Sequence, residues 1–178
     1  VFNWSKITKE NIQQCFSTKY ILIDNFIDQT QLESLHNIFL ESDKDLCSDN
    51  NELLTIDGHP ILDEIRKQEK RFVNLINDVW NEKCKRMKTI VNLMTSNHVL
   101  PIHEDSFWTN VPVRGILYLN GIYGTHFHRT VNGREIVELG GKPGQLLLFK
   151  IHNDSLHSAG LIKKSNDDRY VISIQFES

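Results

Sequence analysis

The chain predicts an α+β fold that is mainly β: helices first, then a sandwich or barrel-like jelly roll. Three observations carry this. Apolar residues recur at helical spacing in the first half of the chain and not in the second. From Thr89 onward, seven or eight short apolar runs are broken by Gly, Pro and Asn, with no helical pattern between them. No linker or internal repeat divides the 178 residues, so one domain is expected. Within it, 1–88 reads as helical support with one strand and 89–178 as the β core.

In order, Thr8 to Phe16 reads as a short helix with Thr8 as its cap. Tyr20 to Phe26 is an apolar, partly β-branched run and reads as a strand. Asp28 then caps a helix to about Glu41, because Leu32, Leu35, Ile38 and Phe39 fall on one stripe. Ser42 to Gly58 is polar and irregular, a long loop. After Pro60 an amphipathic helix is expected to about Met87, with an unusually polar middle at Lys67 to Lys70. The β runs are Ile90–Met94, Leu100–Asp105, Val113–Asn120, Thr125–Arg129, Arg134–Leu139, Gln145–Phe149, Ser158–Ile162 and Arg169–Phe176. The helices are expected to cover one face of a sheet.

Composition excludes several classes. A net charge of −3 gives no electrostatic case for nucleic acid. The basic run Lys83 to Lys88 reads as a solvated helix end favoured by the helix dipole, with a phosphate-binding patch as the lesser alternative. Three cysteines at long spacings do not make a disulfide framework, and a reducing, cytoplasmic setting is the simpler expectation. No apolar run approaches the roughly 18 residues of a membrane span, and the first residues lack the layout of a signal peptide. Composition leaves the oligomeric state open.

The chemistry centres on Val99 to Trp108. His103 and Asp105 are two apart, so an extended backbone turns both to one face. His157, after the buried-looking run Leu146–Phe149, supplies a second imidazole. Two histidines and a carboxylate with three positions open form the facial triad of non-haem Fe(II) sites. His152 competes for the third place but lies in a polar turn, where histidines are commonly solvated. Arg169 opens the last strand and shares a face with Val171, Ser173 and Gln175. Its fork suits a carboxylate, either a ligand's or that of Asp167 or Asp168 nearby. His126 and His128 share a strand face, as substrate wall, second metal pair or plain exposed surface. Trp108 reads equally as substrate wall or core, and Glu104 points away from the ligand face.

In order and spacing, these pieces resemble the Fe(II)- and 2-oxoglutarate-dependent dioxygenases, and most closely their prolyl 4-hydroxylase-like branch. The pieces are His103-Glu104-Asp105, Ile116 to Asn120, Gly124-Thr125, Gly144 to Phe149, His157-Ser158 and Arg169 to Ser173. The segment Tyr20 to Glu41 is similar to that branch's opening, so the resemblance spans nearly the whole chain. It implies a double-stranded β-helix, a cupin-like jelly-roll barrel. It implies iron on His103, Asp105 and His157, and the distal carboxylate of 2-oxoglutarate on Arg169 and Tyr118, with Ser173 lining that pocket. It also implies O2 as co-substrate, ascorbate as an iron reductant, and hydroxylation of a peptidyl residue or small molecule with release of succinate and CO2. The chain departs from the pattern at Asn92-Leu93-Met94-Thr95, where many members carry a tyrosine. Two rival readings are a non-catalytic jelly-roll module that binds metal or ligand, and a cupin-type metal site without 2-oxoglutarate. Arg169 with Tyr118 argues against both.

Overall fold

Two antiparallel sheets face each other in the computed structural model of the chain, which describes residues 2–42, 54–56, 60–94, 98–106, 110–162 and 167–178. The strands are β1 (Gln13–Cys15), β2 (Thr18–Ile23), β3 (Leu54–Ile56), β4 (Arg86–Met94), β5 (Leu100–His103), β6 (Val113–Tyr118), β7 (Thr125–His128), β8 (Ile136–Leu139), β9 (Leu146–Lys150), β10 (His157–Ala159) and β11 (Arg169–Glu177). The helices are α1 (Gln29–Ser42), α2 (Pro60–Arg66) and α3 (Glu69–Trp80). The larger sheet runs β1-β2-β9-β6-β11-β4-β3 and the smaller β5-β10-β7-β8. This is the mainly β, double-stranded β-helix layout expected, with all eight C-terminal strands in place.

Alternation along β11 sets the layers. Ile172, Ile174 and Phe176 face outward and pack with Phe72 and Ile76 of α3 in the main core. Val171 faces inward with Tyr118, Leu147, Phe149 and Phe127, in a second core between the sheets. Strands β9 and β11 are therefore buried on both faces, which explains the continuous hydrophobic run of β9; the inward face of β11 also carries the buried polar residues Arg169 and Ser173.

The first 59 residues depart from expectation in three places. Residues 8–16 are no α-helix: Trp4–Lys6 and Lys9–Asn11 are single 3₁₀ turns, followed by β1. Strand β2 stops at Ile23, because Asn25 takes a φ of 50° in a turn. Strand β3 lies inside the expected loop and pairs with β4; the remaining residues of 43–59 lie outside the described set. Helix α1 runs as expected, with Asp28 Oδ1 accepting from Gln31 N–H at 2.8 Å; its Leu32 is buried, and the side chains of Leu35, Ile38 and Phe39 are outside the described set.

The long helix expected over 60–87 is two helices and the start of a strand. The polar middle is the break between α2 and α3, where Gln68 N–H turns back to Ile65 O. Asn81, at φ 55°, ends α3, and Asn77 ties the turn by bonding Cys84 N and O. From Arg86 the period becomes two: Met87, Thr89, Val91 and Leu93 are buried. The basic run is consequently no helix end. Arg86 and Lys88 pair across the sheet with Glu177 of β11, whose own carboxylate is buried.

Phe72 joins these layers. Its ring meets Trp4 edge-on at 4.6 Å, Phe26 at 5.6 Å and Phe176 at 5.7 Å. Phe72→Ala is expected to cost about 3–5 kcal/mol, a large part of the roughly 5–15 kcal/mol a domain has, and urea unfolding reads it.

Candidate metal centre and anion pocket

Strand register builds the cluster. In the smaller sheet His157 of β10 lies directly opposite His103 of β5 and Phe127 of β7. Directly opposed residues share a face. The two imidazoles therefore stand side by side, with ring centroids 4.3 Å apart. Asp105, two residues past His103 and 3% exposed, closes the group. Its Oδ1 is 3.6 Å from His103 Nε2 and its Oδ2 is 3.3 Å from His157 Nε2. One ligand atom from each of the three lies within 4.8 Å of the others.

The hydrogen bonds outside the cluster decide what faces inward. His103 Nδ1 donates to Pro101 O at 2.8 Å, and His157 Nδ1 donates to Ser155 O at 2.9 Å. A carbonyl only accepts, so each Nδ1 carries the proton. A neutral imidazole then turns its Nε2 lone pair toward Asp105. Burial and the facing His157 lower the pKa of His103, which favours the neutral ring. Burial pushes the Asp105 carboxyl up, but His157 and the Arg114 guanidinium outweigh it and hold the carboxyl well below the usual carboxylate range. Two lone pairs and a carboxylate thus converge on one point. With both rings neutral, such a donor set fits a divalent metal. Phe149 braces the His157 ring edge-on at 5.2 Å.

Beside the cluster lies a cavity lined by His157, Arg114, Asn92, Thr125, Arg169 and Ser173. Arg169 is 3% exposed. It donates to Tyr123 O at 3.2 Å, Met94 Sδ at 3.4 Å and Thr125 Oγ1 at 3.4 Å, and its guanidinium lies 5.4 Å from the Tyr118 ring and 5.1 Å from the Tyr123 ring. Neither Asp167 nor Asp168 is among these partners, and no carboxylate of the described residues forms an ion pair with it. Burial lowers its pKa from the ordinary value, yet a guanidinium stays charged. A buried positive charge held by a carbonyl, a thioether and a hydroxyl is well placed for an incoming carboxylate.

The other expected residues fall as follows. Ser173 is buried and lines the cavity. Tyr118 is buried, but its hydroxyl donates to Leu139 O at 3.1 Å and meets Thr125 Oγ1 at 2.8 Å. It braces Thr125, and the threonine hydroxyl is the one that lines the cavity. Gly140 permits this: its φ is 75°, and a Cβ there would collide with the tyrosine ring. His126 and His128 are not an exposed face; each is 2% exposed. They sit on the side of β7 away from Phe127, with His126 Nε2 3.9 Å from Glu138 Oε2 and His128 Nε2 2.7 Å from Ser158 Oγ, and neither lines the cavity. His152 bonds Ser17 O at 2.8 Å and stays outside the cluster. Glu104 accepts from Ser106 N–H at 2.9 Å and also stays outside it. Trp108 lies outside the described residues.

Two residues escaped the sequence reading. Thr125 and Arg114 were both readable by alternation: Thr125 opens β7, and Arg114 shares a face of β6 with Ile116 and Tyr118. Nothing in the sequence marks which acid Arg114 meets; in the fold it is Asp105.

The two pKa shifts act in one direction in the metal-free protein. His103 and Asp105 both bind their proton less readily folded than unfolded, so the unfolded chain holds more protons and stability rises with pH. The contribution is full above about pH 6.5 and is lost as pH falls, first through His103, then below about pH 4 through Asp105. Buried His128 adds to the first step. Urea midpoints are expected to drop between pH 7 and 5, and His103→Asn is expected to flatten that drop.

No protein-family model matches the sequence, and no curated protein matches it. Solved structures do. A Pseudomonas putida prolyl-4-hydroxylase superposes with a TM-score of 0.68 at 15% identity, over 89% of this chain and 91% of that one. A prolyl hydroxylase from Trichoplax adhaerens, in complex with a hypoxia inducible factor oxygen degradation domain peptide fragment, gives 0.66 at 16%, over 89% and 83%. The viral collagen prolyl hydroxylase of Paramecium bursaria Chlorella virus-1, as its 2OG complex, gives 0.61 at 18%, over 89% and 96%. The chain therefore has the double-stranded β-helix fold of the 2-oxoglutarate- and Fe(II)-dependent oxygenases, in the form found in prolyl 4-hydroxylases.

Proposed function

We propose that the chain is an Fe(II)- and 2-oxoglutarate-dependent oxygenase that hydroxylates a C–H bond of a peptidyl residue or a small molecule. One observation carries the reading. A buried guanidinium that forms no ion pair with a carboxylate of the described residues lines the same cavity as His157, one member of a converging His/Asp/His set. A bare metal-binding module, or a cupin site without a dicarboxylate, has no use for it. The three prolyl hydroxylase neighbours support the peptidyl option.

His103, Asp105 and His157 are the residues that would hold the metal, and Arg169 with Thr125 would take the far carboxylate of 2-oxoglutarate. Iron(II) with 2-oxoglutarate supplies the oxidising power that places one oxygen atom of O2 in a C–H bond, with succinate and CO2 released. The protein's part is orientation. The Pro101 and Ser155 carbonyls hold both rings in the ligating tautomer. Tyr118 keeps the Thr125 hydroxyl turned toward Arg169, and burial raises the tyrosine's own pKa, so it remains a neutral donor. Ser173 offers a further hydroxyl on the cavity wall.

The test is anaerobic assembly of the protein with Fe(II) and 2-oxoglutarate, admission of O2, and measurement of succinate. Wild type is expected to form succinate, slowly without substrate and faster with the right one from a panel of prolyl peptides and free amino acids. His157→Ala and Asp105→Ala are expected to abolish it. Arg169→Met is expected to raise the half-saturating 2-oxoglutarate concentration about 100-fold, the loss of charge-assisted bonds in a buried site. No succinate together with no 2-oxoglutarate binding to the metal-loaded wild type would sink the proposal.

A further inference from the structure

Among the described residues that line the cavity, Arg114 is the charged group that this reading leaves without a task. It stands on β6 with its side chain 19% exposed, and its Nη1 pairs with Asp105 Oδ2. The two oxygens of Asp105 are thus unequal. Oδ2 carries the arginine and faces His157, while Oδ1 faces His103. Each carboxylate oxygen that ligates a metal takes one position of its shell. A chelating oxo acid needs two open positions and O2 a third, so an octahedral metal on three residues has none to spare. A carboxylate bound through both oxygens would remove one of them.

We propose that Arg114 is a positioning residue that occupies Oδ2 of Asp105, so that the carboxylate offers a metal one oxygen and leaves three positions open. The proposal rests on the metal reading of the triad given above. An arginine suits the task, because its charge is permanent and its fork is planar and rigid. It is also buried enough for its bond to persist in water, unlike a surface pair. The same fixed charge opposes a divalent cation nearby. The role therefore has a sign of its own. Loss of an ordinary prop for a metal ligand weakens metal binding about 10–100-fold. Loss of Arg114 frees an oxygen and removes a repelling charge, so metal binding strengthens while room for the oxo acid shrinks.

Mn(II) is the probe, with the full chain and no turnover needed. Free Mn(II) is read by electron paramagnetic resonance, and coordinated waters by water-proton relaxation. Wild type is expected to bind one Mn(II) carrying three exchangeable waters, two of which 2-oxoglutarate displaces. Arg114→Met is expected to bind Mn(II) about tenfold more tightly with two waters, and 2-oxoglutarate about tenfold more weakly. Arg114→Lys, which keeps a charged donor, is expected to restore the third water. Should Arg114→Met fail to fold, Arg114→Gln carries the same comparison. Weaker Mn(II) binding in the neutral variant, or an unchanged count of three waters, overturns the proposal and leaves the metal reading standing. Absence of Mn(II) binding in the wild type overturns both.

Discussion

Everything at this site depends on the register of one three-residue strand. Strand β10 is held on both sides, by β5 and β7, with His157 opposite His103 and Phe127. A slip of one residue would turn His157 to the other face of the sheet and put Ser158 in its place. Packing guards against the slip. The inward face of β10 meets Phe127 and Phe149 through the His157 ring, and the outward face places Ser158 against His128. The backbone contributes too, since His128 N–H bonds Leu156 O just before the strand begins. A short strand is weakly specified by its own sequence; here its neighbours on both edges and both faces specify it.

The second constraint is charge in a dry place. Two guanidiniums line the cavity; Arg114 pairs with Asp105, while Arg169 forms no ion pair with a carboxylate of the described residues. An uncompensated buried cation costs stability. The protein lowers that cost with aromatic faces on Tyr118 and Tyr123 and with neutral acceptors, and keeps the balance for a ligand. Tyr123 also reaches Met94 Sδ at 3.9 Å, so the methionine on β4 and this tyrosine together line the guanidinium.

Much of this was readable from the sequence, and the misses have physical causes. His103 and Asp105 were found because neighbours on an extended segment must share a face. His157 and Arg169 were found because each borders a run of buried strand. The helix expected to Met87 failed because Met87 fits both a period of 3.6 and a period of 2, and the residue that decides, Asn81 in a left-handed conformation, is an ordinary asparagine in the sequence. Strands β1 and β3 were missed because each has three residues, and Gln13-Gln14-Cys15 has no apolar alternation; its pairing is dictated by β2. The burial of His126 and His128 was missed because alternation tells which residues share a face, and not what covers it.

Strand β7 has no solvent side: Thr125, His126, Phe127 and His128 are all buried. Of its inward residues Thr125 lines the cavity and Phe127 packs against the His157 ring, and its outward ones are engaged with Glu138 and Ser158. A strand committed on both faces has no site where substitutions drift freely. Sequence change in this part of the molecule is channelled to β8, where Ile136 and Val137 are 37% and 38% exposed. For a protein engineer this separates two handles. Exchanges at Ile136 and Val137 alter the outer surface and leave the cavity alone, whereas an exchange at His126 or His128 acts from behind on Phe127, which packs against His157, and alters how firmly His157 is held before it alters any chemistry.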